Sequence, residues 1–374
     1  TEDRLWSQGY KGELGDLFAI QERIAQEVVA SLDVAHPAES GDRLTPGPMG
    51  DVAAWQCLVQ ARQAGLRWRK DGIDEAVELL TRGLSVVGDD ARLHAALGRT
   101  HLHYREIGVD TSDTPLKAAE SCAARASALE PGLAVVHQLE GWIRYSRSDI
   151  RGAVDALELA RAQEPNDPDT LGLLANCLLI SGQVEAARPL IETLVSIDPL
   201  TPLTRCMPGW ADAMEGNFEA ALGPYRDMFT MDEGNPMARL FYVYMLAASG
   251  RRDEAHDVAE ALPEYLRSSP PGRIIGIFAK ALAGERPDPL PPAEGEALAR
   301  GTDVIPRFLA QAYALGGDEE QAVTWAARAV DRGFISHAFL ANHDPFLAPL
   351  VGHAGYDQVL ETARARLREF VANE

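Results

Sequence analysis

Apolar residues along this chain recur at the three- and four-residue spacing of amphipathic helices, and the pattern restarts on a fixed beat. Ala119, Ala153, Ala187, Ala221 and Ala255 stand 34 residues apart. Gly182, Gly216 and Gly250 precede alanines on the same beat, while Pro131, Pro165 and Pro199 follow them. One period, residues 133–165, reads as two helices. His137, Glu140, Gly141 and Arg144 lie at helical spacing on the first, and Asp149 falls in the turn. Ala153, Leu157 and Ala160 form the inner stripe of the second. The small side chains of Gly141 and Ala153 belong where the two helices approach, and Pro165 stops the second helix. The next period repeats this with Leu171, Leu174, Ala175, Leu178, Gly182, Ala187, Ile191, Leu194 and Pro199. The following one carries Gly209, Gly216, Phe218, Ala221, Tyr225 and Met228. Such a unit cannot bury its apolar face until a neighbour stacks on it. The pattern therefore predicts an all-α superhelical solenoid of about seven helix-turn-helix repeats.

A 34-residue period with several positions recurring together resembles the tetratricopeptide repeat family. Outside the regular stretch the pattern loosens. Ala76, Leu80, Gly83 and Gly88 place a divergent repeat between about Val52 and Gly88, and Leu93, Leu97 and Gly98 open a second one. A loop around residues 108–115 interrupts that second repeat. After Ala255, Pro263, Pro270 and Pro271 break the beat, and residues 286–292 are proline-rich. Leu309, Tyr313, Gly317, Ala322, Ala326 and Ala329 mark a last repeat. A final helix with Tyr356, Val359, Leu360, Ala363 and Leu367 is expected to cap the stack, because an open solenoid end exposes core. The expected layout is a solenoid over residues 51–267, an irregular helix with a Pro-rich connection over 268–300, and a last repeat with capping helices over 301–374. The run from Asp344-Pro345-Phe346 to Leu350 resembles the C-terminal ending of bacterial repeat proteins of this kind.

Residues 1–32 do not fit the repeat. Leu5-Trp6-Ser7-Gln8-Gly9-Tyr10, followed by a helix from Asp16 with Leu17, Ile20, Ile24, Val28 and Leu32 on one stripe, is similar to the end of a TolB-like region. In bacterial multidomain proteins of that type, a class III adenylate or guanylate cyclase domain, or a winged-helix DNA-binding domain, lies upstream. The resemblance implies that residues 1–32 are the remnant of such a region, and residues 33–50, rich in Pro, Gly and small polar residues, read as a linker. The chain begins with Thr1, which suggests a segment of something longer. No cyclase or DNA-binding residues are carried here. The apolar stripe of residues 16–32 also suggests self-association, by pairing with a second copy or docking on the first repeat.

Charge and composition narrow the function. The net charge of -21 disfavours binding to nucleic-acid phosphates. There is no run resembling a membrane-spanning helix or a signal peptide, so the expected location is the cytoplasm. Cys57, Cys122, Cys177 and Cys206 fall on predicted helices without a CxxC pair, as small buried residues of a reducing compartment. Phosphate-loop, dinucleotide, HExxH and GxSxG motifs are absent, so no catalytic machinery or cofactor is expected. His101, His103 and Glu106 come nearest to a metal set, but residues two apart on a helix point to different sides. Arg67-Trp68-Arg69-Lys70 and Arg364-Ala365-Arg366 read as solvated helix faces, and His343-Asp344 before Pro345 reads as a turn.

The functional signal lies on the first helices of the repeats. The resemblance implies that these line a concave groove. In that register one inward position reads Arg99, Trp142, Asn176, Trp210, Tyr244 and Gln311. Neighbouring inward positions add His103, Gln138, Tyr145, Met214, Leu240 and Arg307. Aromatic surface with Asn and Arg suits a peptide or protein segment, since rings give apolar contact and Asn pairs with backbone amides. The alternative is that Trp142, Trp210 and Tyr244 are core, packed against a neighbouring helix or the C-terminal segment. The family's carboxylate clamp is incomplete, because Asn176 stands alone with Gly172 where the paired Lys would be. A chaperone tail is therefore a poor ligand. Two functions remain: a protein-binding scaffold, or the regulatory part of a cyclase or DNA-binding regulator whose first domain lies upstream.

Overall fold

A computed structural model describes residues 49–372. The remnant expected over residues 1–32, most of the linker at 33–50 and the self-association stripe at 16–32 lie outside the described residues. The described chain is all-α. Seven antiparallel pairs follow one another: α1 (Met49–Gly65) with α2 (Lys70–Val87), α3 (Ala91–Glu106) with α4 (Asp113–Leu129), and α5 (Ala134–Ser146) with α6 (Ile150–Gln163). Then come α7 (Pro168–Ile180) with α8 (Val184–Ile197), α9 (Pro202–Met214) with α10 (Phe218–Met231), and α11 (Pro236–Ala248) with α12 (Arg252–Glu260). A short α13 (Glu264–Arg267), α14 (Pro270–Leu282) and α15 (Pro292–Ala299) precede the seventh pair, α16 (Val304–Leu315) with α17 (Glu319–Asp331). A π-turn (Phe339–His343) and α18 (Ala354–Ala372) complete the chain. The stack runs through the proline-rich stretch, since α14 packs against α11 and α12 on one side and α16 on the other.

The repeating residues do what their sizes require. Ala119, Ala153, Ala187, Ala221 and Ala255 are all completely buried. A Cβ on Gly141 would stand 2.6 Å from Cγ of Leu157, so only glycine lets α5 lie this close to α6. Helix starts are fixed locally: the Asp90, Asp149, Asp167 and Asn235 side chains each accept a first-turn backbone N–H. Cys122, Cys177 and Cys206 are buried and Cys57 half-buried, all as free thiols.

The turn between the helices of a pair needs a left-handed residue. Gly182, Gly216 and Gly250 supply it with φ of 79°, 85° and 79°, and Gly284, just after α14, repeats the conformation at 80°. One period earlier the same place is held by Ser148 at φ 66°, where a side chain strains the backbone. Ser148→Gly should therefore stabilise the protein by about 1 kcal/mol. Urea midpoints would check this, and a variant no more stable than the parent would mean that Ser148 is not strained.

The superhelix closes on itself. Gly108 in the α3–α4 loop abuts Pro270 and Leu298. Arg105 donates to the carbonyls of Thr111 and Arg300 at 3.0 and 2.7 Å. The segment after α17 then turns inward, and the backbone N–H groups of Ile335 and Ser336 donate to the carbonyl of Ile180 at 2.9 and 2.8 Å. Phe334 and Phe339 go into the core beside Trp210.

Candidate functional site

The first helices do face inward, but the concave face is divided in two. Its C-terminal half is filled by the chain's own inward-turning segment. Tyr244 is buried, packs edge-on against Phe346, and donates its hydroxyl to Oδ2 of Asp344 at 2.7 Å. Gln311 is fully buried and donates to the same oxygen at 2.7 Å. Met214 and Leu240 are also core. Tyr244 and Gln311 thus hold the C-terminal segment in this structure, and all four positions are closed to any other ligand. Gln138 is engaged with Asp167 and Thr170. Asp344 does form a turn, capping the N–H groups of Phe346 and Leu347 at 2.9 Å each.

The N-terminal half encloses a partly open chamber with a cavity volume of about 170 Å³. It gathers Arg99, His103, Trp142, Tyr145, Asn176 and Trp210 from α3, α5, α7 and α9. Across from them α16 contributes Arg307 and Phe308, because the superhelix brings its seventh pair over the third and fourth. Four further lining residues have no inward signal in the repeat pattern: Arg62, Trp68, Asp169 and Thr302. Trp68 corrects the reading of residues 67–70 as a solvated face. Its ring is half-buried and stacks on His103 at 6.2 Å, because the α1–α2 turn folds back over α3. Asp169 sits just after the α7 N-cap, where only the neighbouring repeats' arginines reveal its role.

Electrostatics divide the walls. Arg62 contacts Asp169 at 3.4 Å and Asp198 at 3.1 Å, and Arg99 also pairs with Asp169. Burial works against the ionised form of Asp169, yet Arg99 and Arg62 outweigh it and lower its pKa. Arg99 lies over the Trp142 ring at 5.0 Å. The buried Glu106 is pushed up to about 8, chiefly by desolvation, with Arg99 opposing and Asp303 assisting. His103 moves the other way, to about 3, because burial and Arg99 both disfavour its cation. Its Nε2 stands 3.8 Å from the Glu106 carboxyl, so near neutral pH two largely uncharged groups face each other. Tyr145 donates to Asp303 at 2.7 Å, and burial raises both pKa values.

Arg307 is the least expected feature. Its guanidinium is buried between Trp210 at 4.4 Å, Phe308 at 4.6 Å and Phe334 at 5.2 Å. It makes no hydrogen bond among the described residues, and its one carboxylate neighbour, Asp303, lies 4.0 Å away. Asn176 likewise keeps its amide free of hydrogen bonds among the described residues.

Comparison with known proteins agrees with this architecture at the level of the repeat. Residues 145–203 match the tetratricopeptide repeat family. Over 97 residues the chain is 32% identical to a protein of Rhizobium meliloti described as putative adenylate cyclase 3. That match covers 26% of this chain and only 16% of the relative's length. Similar solved structures include a Rap protein complexed with competence and sporulation factor, at 12% identity, 96% of each chain and a TM-score of 0.48. Another is a tetratricopeptide repeat protein from Parabacteroides merdae, at 9% identity and a TM-score of 0.40, covering 83% of this chain and 99% of that one. The chain carries tetratricopeptide repeats, and repeats of this fold serve as protein-interaction scaffolds. No helix among the described residues is long and apolar enough to cross a membrane.

Proposed function

We propose that this chain is a non-catalytic interaction scaffold that holds a segment of a partner protein on the open half of its concave face. One observation carries the reading: Arg99, His103, Trp142, Tyr145, Asn176 and Trp210 line a single chamber, while the chain itself fills the rest of the concavity. A preformed wall of rings with a free Asn orders a partner segment at low reorganisation cost. Asn176 pairs with the segment's backbone, and Trp142 supplies apolar contact. Peptides selected by display on the full chain would test this. Trp142→Ala with Asn176→Ala should weaken the selected peptides by roughly 30-fold, the loss of about 2 kcal/mol typical of a central anchor. Equal affinity for both folded proteins would place the partner elsewhere.

A second reading is favoured by the Rhizobium meliloti match. On it the repeats are the regulatory part of a longer cyclase, and partner binding controls the catalytic half. The upstream coding sequence decides between a cyclase domain, a winged helix and neither.

A further inference from the structure

Polar atoms in protein interiors find partners, because an orphaned one costs about 1–3 kcal/mol. Ten buried side-chain polar atoms among the described residues have none, and five of them line this one chamber. They are Nε of Arg99, Oε2 of Glu106, Nε1 of Trp142, Oγ1 of Thr302 and Nε of Arg307. Three can only donate, and the Thr302 hydroxyl can donate as well. Thr302 and Arg307 are more than nine-tenths buried. The chamber's unmet demand is therefore for an acceptor. Its carboxylates do not supply one, because Asp169 and Asp198 are taken by Arg62 and Arg99, and Tyr145 occupies Asp303. The remaining wall is apolar, built chiefly from Trp142 and Trp210. A dry cavity of about 150 Å³ takes up a single aromatic ring, and this one holds about 170 Å³.

We propose that the chamber is a binding site for a small organic acid with a flat ring, its carboxylate held by Arg307 and its ring set against Trp142 and Trp210. The Thr302 hydroxyl donates to the same carboxylate, and Trp142 and Arg99 serve any further acceptor of a larger ligand. Arg307 suits this task because its fork is fixed by the rings around it, so little rotamer freedom is lost when a carboxylate arrives. A neutral Glu106 places no negative charge against the ligand. A cation of the same shape would meet three guanidiniums and no free carboxylate. The inference goes beyond partner binding and stands without it, since it is read with small molecules alone.

Titration calorimetry on the full chain tests it with ring systems that differ only in charge: indole-3-acetate, indole-3-acetamide and tryptamine, then benzoate, benzamide and benzylamine. In at least one set the acid should bind ten-fold or more tighter than its amide and amine, and Arg307→Met should remove that preference. Because Arg307 also packs among rings, Thr302→Val serves as a second variant and should weaken the acid several-fold. The acid–amide comparison needs no variant at all. Equal binding within a set, preference for the amine, or no binding in either set overturns the proposal. So does binding of a blocked Glu-Trp dipeptide where no free acid binds, which would give the anionic group to a partner's side chain. Loss of peptide binding by Asn176→Ala, a residue with no part in holding the acid, reports on the scaffold reading alone, so the two can fail separately.

Discussion

Asp344→Ala should cost about 4 kcal/mol of stability and release the C-terminal segment from the concave face. The Asp344 carboxylate is fully buried and accepts four hydrogen bonds. Two come from the side chains of Tyr244 and Gln311 on separate helices, and two from the turn that follows it. Removing it strands a phenol and an amide in the core, where no water replaces the lost acceptor. Burial raises the Asp344 pKa despite these four donors, so the wild type already bears a desolvation cost that the bonds offset. Asp344→Asn keeps one oxygen, enough for either the turn or the Tyr244–Gln311 side, and should fall between the two proteins. Denaturant unfolding followed by tryptophan emission reads this directly, because Trp210 lies against Phe334 and Phe339 of the released segment. An alanine variant within 1 kcal/mol of the parent would mean that the segment is held by its rings and not by this carboxylate.

The contrast between these two halves of the concave face explains what the sequence could and could not say. Repeated positions were legible because each is stated several times: five alanines on one beat all become buried helix crossings. The beat even continues to Gly284, whose φ of 80° matches the earlier turns, although prolines replace the start of the following helix. Inward direction was legible for the same reason, and Arg99, Trp142, Asn176 and Trp210 do share one chamber. What period alone cannot carry is a contact made once. Tyr244 with Asp344 and Ile180 with Ile335 join residues 100 and more apart, and neither pair has a counterpart in another repeat. The apolar run at Phe334, Ile335, Phe339 and Leu340 announces burial but not against what. Trp68 and Asp169 escaped for a related reason. They sit at a turn and just after a helix cap, where side chains are chosen by the neighbouring repeat and not by their own.

Glu106→Gln should raise stability by about 2 kcal/mol at about pH 6 and by about 5 kcal/mol at about pH 9. The folded Glu106 carboxyl is raised from 4.5 to about 8, so between those values the folded state keeps a proton that the unfolded chain releases. Its contribution is fully present below the unfolded pKa and is lost as pH rises through the folded one. In full it amounts to on the order of 5 kcal/mol. Glutamine cannot ionise and so escapes the alkaline loss, while filling the same volume. His103 does not confuse the comparison. Its pKa is lowered to about 3, so its stabilising effect is present above its ordinary 6.5 and is lost only toward acid. Tyrosines, cysteines and lysines that titrate at high pH are common to both proteins and cancel in the difference. Urea unfolding of the two proteins at both pH values gives that difference. Curves that shift in parallel would show that Glu106 is ionised at neutral pH, with water or a cation reaching its carboxyl. The chamber floor would then present a negative charge, and an anionic ligand would be repelled where the structure has it held.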